Sequence, residues 1–242
     1  LLAGFGCGPF PQYGTSDHPR PSASAVQMAG FDVYVVNGKT NSLSLIAAED
    51  LSVGKTVSLP SYDFPHHVYV SPDGSRLAVA FPGMDLSAGH NGGQDGMKGA
   101  IAIIDAATGD TLMSQSVPAM NHNVAFSPDG SELWTALMTN PGKVLILDAA
   151  TLEQKAEILV GAMPAEITFG GDGKFAFVAN GQGDSTSVIG VKSKEVVETI
   201  AVGADPVGAW PGNDGLMYVD NEHAKTISVI DPTKLSVTNT LD

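Results

Sequence analysis

Three histidines have types and spacing that could form a metal site. His66 and His67 are adjacent, and His66 and His122 each lie eight residues before the glycine of an Asp-Gly pair. Imidazole nitrogen is a frequent ligand of transition metals, and imidazoles at equivalent positions of neighbouring repeats would approach one another. His66, His67 and His122 are therefore candidate metal ligands.

Methionines accompany these histidines in the same parts of the sequence. The five that do so are Met84, Met97, Met120, Met138 and Met163. Thioether sulfur beside imidazole nitrogen favours a soft or borderline ion such as copper. Met120, His90 and His223 extend the candidate ligand set. The alternative interpretation is structural, since methionines commonly fill gaps in a core.

The chain that must position these side chains is built from repeats. Asp-Gly pairs recur about every 42 residues, except where an insertion at Pro82–Gly99 lengthens one interval. Their glycines are Gly74, Gly130, Gly173 and Gly215. Each unit has four short runs rich in Val, Ile and Thr, and the runs of one unit are His67–Val70, Arg76–Ala80, Ala100–Ile104 and Thr111–Ser116. Four strands per repeat of this length are typical of a propeller blade.

The sequence thus predicts an all-β fold, a β-propeller of four-stranded antiparallel blades with about five blades present. A first copy begins abruptly at Phe31, so blade one lacks its opening strand. Because a ring must join its ends, we expect a fragment of a longer, seven-bladed propeller. A five-bladed ring, in which Ala23–Gly30 supplies the missing strand, is the alternative.

Strand directions alternate within a blade, which sorts the loops onto two faces of the disk. The loops between strands four and one, and between strands two and three, share one face. We call it the histidine face, because five of the six histidines are expected on it. An acidic rim is expected there and would attract cations. Its members are Asp63, Asp85, Asp95, Glu166, Asp184, Asp205, Asp220 and Glu222. Trp134 and Trp210 are expected to pack within the blades.

The repeat resembles the YVTN family of β-propellers over residues 31–242. Its naming motif corresponds to three segments, Tyr34-Val35-Val36-Asn37, Phe177-Val178-Ala179-Asn180 and Tyr218-Val219-Asp220-Asn221. The resemblance implies an extracytoplasmic protein, either periplasmic or at the cell surface. Related propellers bind haem d1 or copper clusters through histidines around the same opening, and the His66-His67 pair resembles the paired histidines of nitrous-oxide-reductase propellers. Copper or haem is therefore the cofactor that the resemblance implies.

Residues 1–30 resemble a signal remnant and a lipoprotein tether. Small residues precede Cys7, as at the end of a bacterial lipoprotein signal, where the cysteine receives lipid. Residues 9–30 are rich in Pro, Ser and Gly, which is typical of a disordered tether. We expect a lipid anchor at Cys7, and an ordinary cysteine in a disordered tail is the alternative. Residues 31–242 form the propeller domain.

Composition and missing motifs narrow the function. A net charge of −14 argues against a nucleic-acid partner, and one cysteine excludes an internal disulfide. No Gly-x-Ser-x-Gly or His-Glu-x-x-His motif is present. The sequence therefore favours a scaffold, rather than an enzyme, that binds an envelope protein or a small ligand through its histidine face. A redox-related copper or haem protein is the alternative.

Overall fold

Antiparallel sheets account for nearly all regular structure in the computed structural model, which describes residues 33–87 and 96–242. Each sheet is formed by consecutive strands, so the chain completes one sheet before starting the next. Two short 3-10 turns, Gly38–Thr40 and Gly181–Gly183, follow strands of the first and fourth sheets. No helix among the described residues is both long enough and apolar enough to span a membrane.

Five sheets follow one another along the chain. The first has β1 (Val33–Asn37), β2 (Ser42–Ile46) and β3 (Val53–Ser58). The second has β4 (His67–Val70), β5 (Arg76–Phe81), β6 (Gly99–Asp105) and β7 (Thr111–Val117). The third has β8 (Ala125–Phe126), β9 (Glu132–Leu137), β10 (Gly142–Asp148) and β11 (Gln154–Val160). The fourth has β12 (Pro164–Phe169), β13 (Phe175–Asn180), β14 (Ser185–Gly190) and β15 (Glu195–Ala201). The fifth has β16 (Pro206–Pro211), β17 (Met217–Asn221), β18 (Thr226–Asp231) and β19 (Ser236–Leu241).

These sheets confirm the predicted blades, four with four strands and the first with three among the described residues. The strand predicted at Arg76–Ala80 extends by one residue to Phe81. The opening strand of the third blade, Ala125–Phe126, is two residues shorter than the equivalent strand His67–Val70 of the second blade. The Asn123 carbonyl accepts a hydrogen bond from the Thr135 hydroxyl, so this carbonyl is engaged by a side chain rather than by the strand ladder.

The core lies between blades, because both faces of the middle strands are apolar. In β5, Leu77, Val79 and Phe81 pack against the first blade, whereas Ala78 and Ala80 pack against the third. Side chains alternate across a strand, so one strand contributes to two separate cores. The same arrangement joins the third blade to the fourth and the fourth to the fifth. The first strands of the four complete blades lie close together, since β4 contacts β8 and β12 contacts β16, and these strands form the centre.

Tight turns at the Asp-Gly pairs follow the first strand in the second to fifth blades. Gly74 and Gly130 have φ of 73° and 72°, the left-handed region that glycine adopts without a Cβ penalty. Ser71 and Ser127 hydroxyls donate to the turn carboxylates Asp73 and Asp129, each over 2.6 Å. These repeated turns set the register of the strands that carry the candidate ligands.

Candidate functional site

His66 and His67 lie where the chain enters the central strand of the second blade. The His66 backbone N–H donates to the Ala80 carbonyl over 2.9 Å, and His67 begins β4 opposite Ala80. Phe64, with φ of 56°, turns the chain into this strand. Left-handed backbone at a bulky residue is uncommon, so the surrounding packing must hold this turn in place.

His122 occupies the equivalent place in the third blade. The residue before it, Asn121, forms an isolated bridge with Leu137 of β9. The His122 side chain is only 2% exposed. Adjacent blades therefore bring His122 against the His66–His67 pair, as the repeat positions predicted.

The three imidazoles form one compact group, which we call the trihistidine cluster (His66, His67 and His122). One ring nitrogen from each lies within 4.8 Å of the others. The Nε2 atoms of His66 and His122 are 3.1 Å apart, at hydrogen-bonding distance. Ring centroids are 4.6 Å apart for His66–His67 and His66–His122, and 4.7 Å apart for His67–His122.

This geometry fits a bound transition-metal ion after small side-chain rotations. With metal–nitrogen bonds of about 2.0–2.1 Å, two imidazole nitrogens of a tetrahedral site are about 3.3 Å apart. The His66–His122 separation of 3.1 Å is close to that value, and His67 must move inward. Three imidazoles leave a fourth position for water or another ligand.

A surface cleft reaches the trihistidine cluster beside His66. His66, Met84, Asp85 and Lys39 all line this cleft. Hydrogen bonds from Ser87 lower the pKa of the Asp85 carboxyl, so Asp85 is ionised at neutral pH. The cleft thus presents a carboxylate and a thioether next to an imidazole, a set of donors that suits a cation.

The methionines of the histidine face form a cluster of their own. Met120 and Met138 are buried with Leu86, and Met84, Met97 and Met163 pack around them. Met120 is 2% exposed, and its carbonyl accepts the Met138 N–H over 2.8 Å. Met120 therefore packs in an apolar cluster, and Met84 is the thioether that shares a cleft with His66.

The other predicted residues lie apart from the trihistidine cluster or outside the described residues. His223 is exposed in the turn between β17 and β18 and is not part of the group. His90 and Cys7 lie outside the described residues. In the fourth and fifth blades Ala165 and Val207 stand at the positions of His66 and His122, so among residues 33–87 and 96–242 the imidazoles of the cluster come from two adjacent blades.

A second polar group, absent from the predicted site, lies along the same central strands. Glu166 of β12 was expected on the acidic rim, but its side chain is fully buried and that expectation is wrong. The Tyr69 hydroxyl donates to Glu166 Oε1, and Asn123 Nδ2 donates to the same oxygen over 3.4 Å. The repeat could have indicated part of this group, since Asn123 and Glu166 occupy equivalent positions, each seven residues before its Asp-Gly glycine.

Burial controls the protonation of Glu166 and Tyr69. Burial raises the pKa of Glu166 to about 7, the Tyr69 hydroxyl opposes the shift, and the Asp220 carboxylate adds to it. Burial, followed by the nearby Glu166 charge, also raises the pKa of Tyr69, which therefore stays protonated and can donate. The Trp210 indole is a hydrogen-bonding group that lowers the pKa of both Tyr69 and Glu166, and Trp210 is 42% exposed.

The radial sheets, the cores between blades and the central strands define a β-propeller. No protein-family model matches the chain, and no curated protein matches it. Among solved structures, Kuenenia stuttgartiensis hydrazine synthase is similar, with a TM-score of 0.61 and 24% identity. The match covers 73% of this chain and 48% of that one, so the chain spans about half of the protein it resembles. At this identity the likeness shows the fold.

Proposed function

We propose that the chain is a propeller scaffold whose histidine face binds a transition-metal ion at His66, His67 and His122. The observation that carries the proposal is the convergence of these three imidazoles to within 4.8 Å. Two blades supply them, so the folded scaffold creates a site that the unfolded chain lacks. Binding should therefore stabilise the fold.

Copper is the ion that the surrounding donors favour. Imidazole suits copper and zinc alike, whereas a neighbouring thioether is a softer ligand that selects copper. Met84 lines the cleft beside His66 and can supply such a sulfur. His66 packs edge to face against both other imidazoles, and the three ring centroids lie within 4.7 Å of one another, so an ion suits the space between them better than a planar haem.

Binding of an envelope partner is the second candidate function, and it extends the first. The YVTN repeat would place the protein outside the cytoplasm, and a lipid on Cys7 would tether it to the membrane. Three asparagines at the end of the naming motif support the repeat assignment, because they make the same contacts. Asn37, Asn180 and Asn221 each donate to two hydroxyls on the next strand.

Metal analysis with matched variants tests the proposed function. Protein purified after exposure to Cu²⁺ should hold one ion per chain, and His66→Ala combined with His122→Ala should lose it. His223→Ala removes an exposed histidine outside the cluster and should retain the ion. A wild-type protein without metal, or a double variant that binds like wild type, would show the proposal to be wrong.

The envelope role needs a separate test. Full-length protein should fractionate with membranes, and Cys7→Ser should release it into the soluble envelope fraction. Retention of an envelope protein by wild type but not by the His66→Ala, His122→Ala variant would support partner binding through the histidine face. A protein found only in the cytoplasm would contradict this role while leaving metal binding to its own test.

A further inference from the structure

The buried carboxyl of Glu166 lies in the propeller centre with only part of its hydrogen-bonding capacity used. Its side chain is 0% exposed. Oε1 accepts hydrogen bonds from Tyr69 and Asn123, whereas Oε2 accepts none from the described residues. A carboxylate so placed is poorly solvated, which favours its neutral form.

Both donors to Glu166 connect it with the trihistidine cluster. Tyr69 follows His67 on the same strand, and their ring centroids are 6.4 Å apart. Asn123 directly follows His122 in sequence. Tyr69 of the second blade and Asn123 of the third blade therefore connect Glu166 with the candidate ligands across the centre of the propeller.

In the described part of the chain, four groups hydrogen-bond to Glu166 or shift its pKa, and each of the four is neutral or acidic. They are Tyr69 of β4, Asn123 before β8, Trp210 of β16 and the carboxylate Asp220 of β17. Asp220 is held by the Gly208 N–H over 2.6 Å and adds negative charge. A cation bound nearby would offset the negative charge of Glu166 and Asp220. The imidazoles His67 and His122 are the groups placed to hold such a cation.

We propose that Glu166 is the charge-compensating group of the trihistidine site and exchanges its proton for the bound metal ion. This proposal rests on the proposed function. When M²⁺ binds the imidazoles, the Glu166 O–H bond breaks, its electron pair stays on the carboxylate, and the proton leaves to water. No redox change is involved, and Tyr69 stays protonated and hydrogen-bonded throughout.

Coulomb's law gives the expected effect of Glu166 ionisation on the metal-binding constant. A divalent ion about 10 Å from a carboxylate, at an effective dielectric of about 20, changes the binding constant by about a hundredfold. Since the pKa of Glu166 is about 7, about half of the molecules carry its proton at pH 7. Metal binding should then release about half a proton more than the same event in a Glu166→Gln variant.

Calorimetry of full-length protein tests the exchange. Zn²⁺ and Cu²⁺ are titrated at pH 7 into wild type, Glu166→Gln and the surface control Glu153→Gln, in buffers of different ionisation enthalpy. We expect Glu166→Gln to bind about a hundredfold more weakly than wild type and to release about half a proton less. Glu153→Gln should match wild type. Equal affinity and equal proton release in all three would overturn the proposal.

Two further measurements test the role of Glu166 even if the Glu166→Gln variant does not fold. The infrared difference spectrum of wild type should lose a protonated-carboxyl band when metal is added, and this needs no substitution. Tyr69→Phe keeps the carboxyl and removes a donor that favours its charged form, so the proton release should move to higher pH. No metal binding in wild type would defeat the trihistidine site itself, whereas binding without loss of the carboxyl band defeats only the role of Glu166.

Discussion

The hydroxyl of Tyr69, on the central strand of the second blade, donates a hydrogen bond to the carboxyl of Glu166 on the fourth. The two residues are 97 positions apart, and the third blade lies between them in sequence. This contact means that the central strands approach closely enough to bury an ionisable group. It also means that the protonation of one carboxyl reports on the integrity of the propeller centre.

Glu166 should make stability depend on pH. Its pKa rises from 4.5 in the unfolded chain to about 7 in the fold, so the folded state holds the proton longer. The stabilising contribution is complete below pH 4.5 and is lost as pH rises towards 7, by up to about 3 kcal/mol at 1.36 kcal/mol per pKa unit. Urea unfolding of metal-free protein between pH 5 and 8 measures this slope.

Glu166→Gln supplies the comparison, because glutamine has the same shape and does not ionise. The variant should lose less stability than wild type over the same pH range. If the free energy of unfolding changes with pH in the same way for the two proteins, Glu166 ionises normally and is not held in a buried, poorly solvated environment.

Glu132 should hold the third and fourth blades together. It is 8% exposed and accepts hydrogen bonds from the Trp134 indole over 3.0 Å and from Lys194 of the next blade, and Lys155 lies 3.2 Å away. Glu132→Ala should cost about 1–3 kcal/mol, because it leaves buried donors without an acceptor. Denaturant unfolding measures the loss. The exposed pair Lys174–Asp172 is the control, and Lys174→Ala should change stability by less than about 0.5 kcal/mol.

Asn180 and Gly161 should behave as a coupled pair. Asn180 is fully buried and donates to Ser185 and Ser187, and a Cβ on Gly161 would lie 2.5 Å from the Asn180 side chain. Asn180→Ala and Gly161→Ala should each destabilise by about 1–3 kcal/mol. The double variant should lose less than the sum, since Asn180→Ala removes the atoms that clash.

A double-mutant cycle by thermal or urea unfolding measures this coupling. Gly171→Ala is the matched glycine control, because no atom lies within 4 Å of the added Cβ. Additive losses in the cycle would contradict the close contact between Gly161 and Asn180.

The sequence predicted the blades well because each blade is a local unit with its own turns and alternation. His66 and His122 were correctly paired, since equivalent positions in adjacent repeats must meet. Glu166 was placed wrongly because its environment depends on a strand from a non-adjacent blade. How far central strands approach one another follows from ring geometry and packing, which one repeat does not reveal.

Imidazoles from two blades should bind one and the same metal ion. Pulsed electron paramagnetic resonance of the protein loaded with one equivalent of Cu²⁺ counts the imidazoles bound to the ion. We expect signals from the histidines His66, His67 and His122 in wild type and in His223→Ala, and loss of most of that signal in His66→Ala with His122→Ala. Copper without imidazole ligands, or an unchanged spectrum in the double variant, would contradict the account.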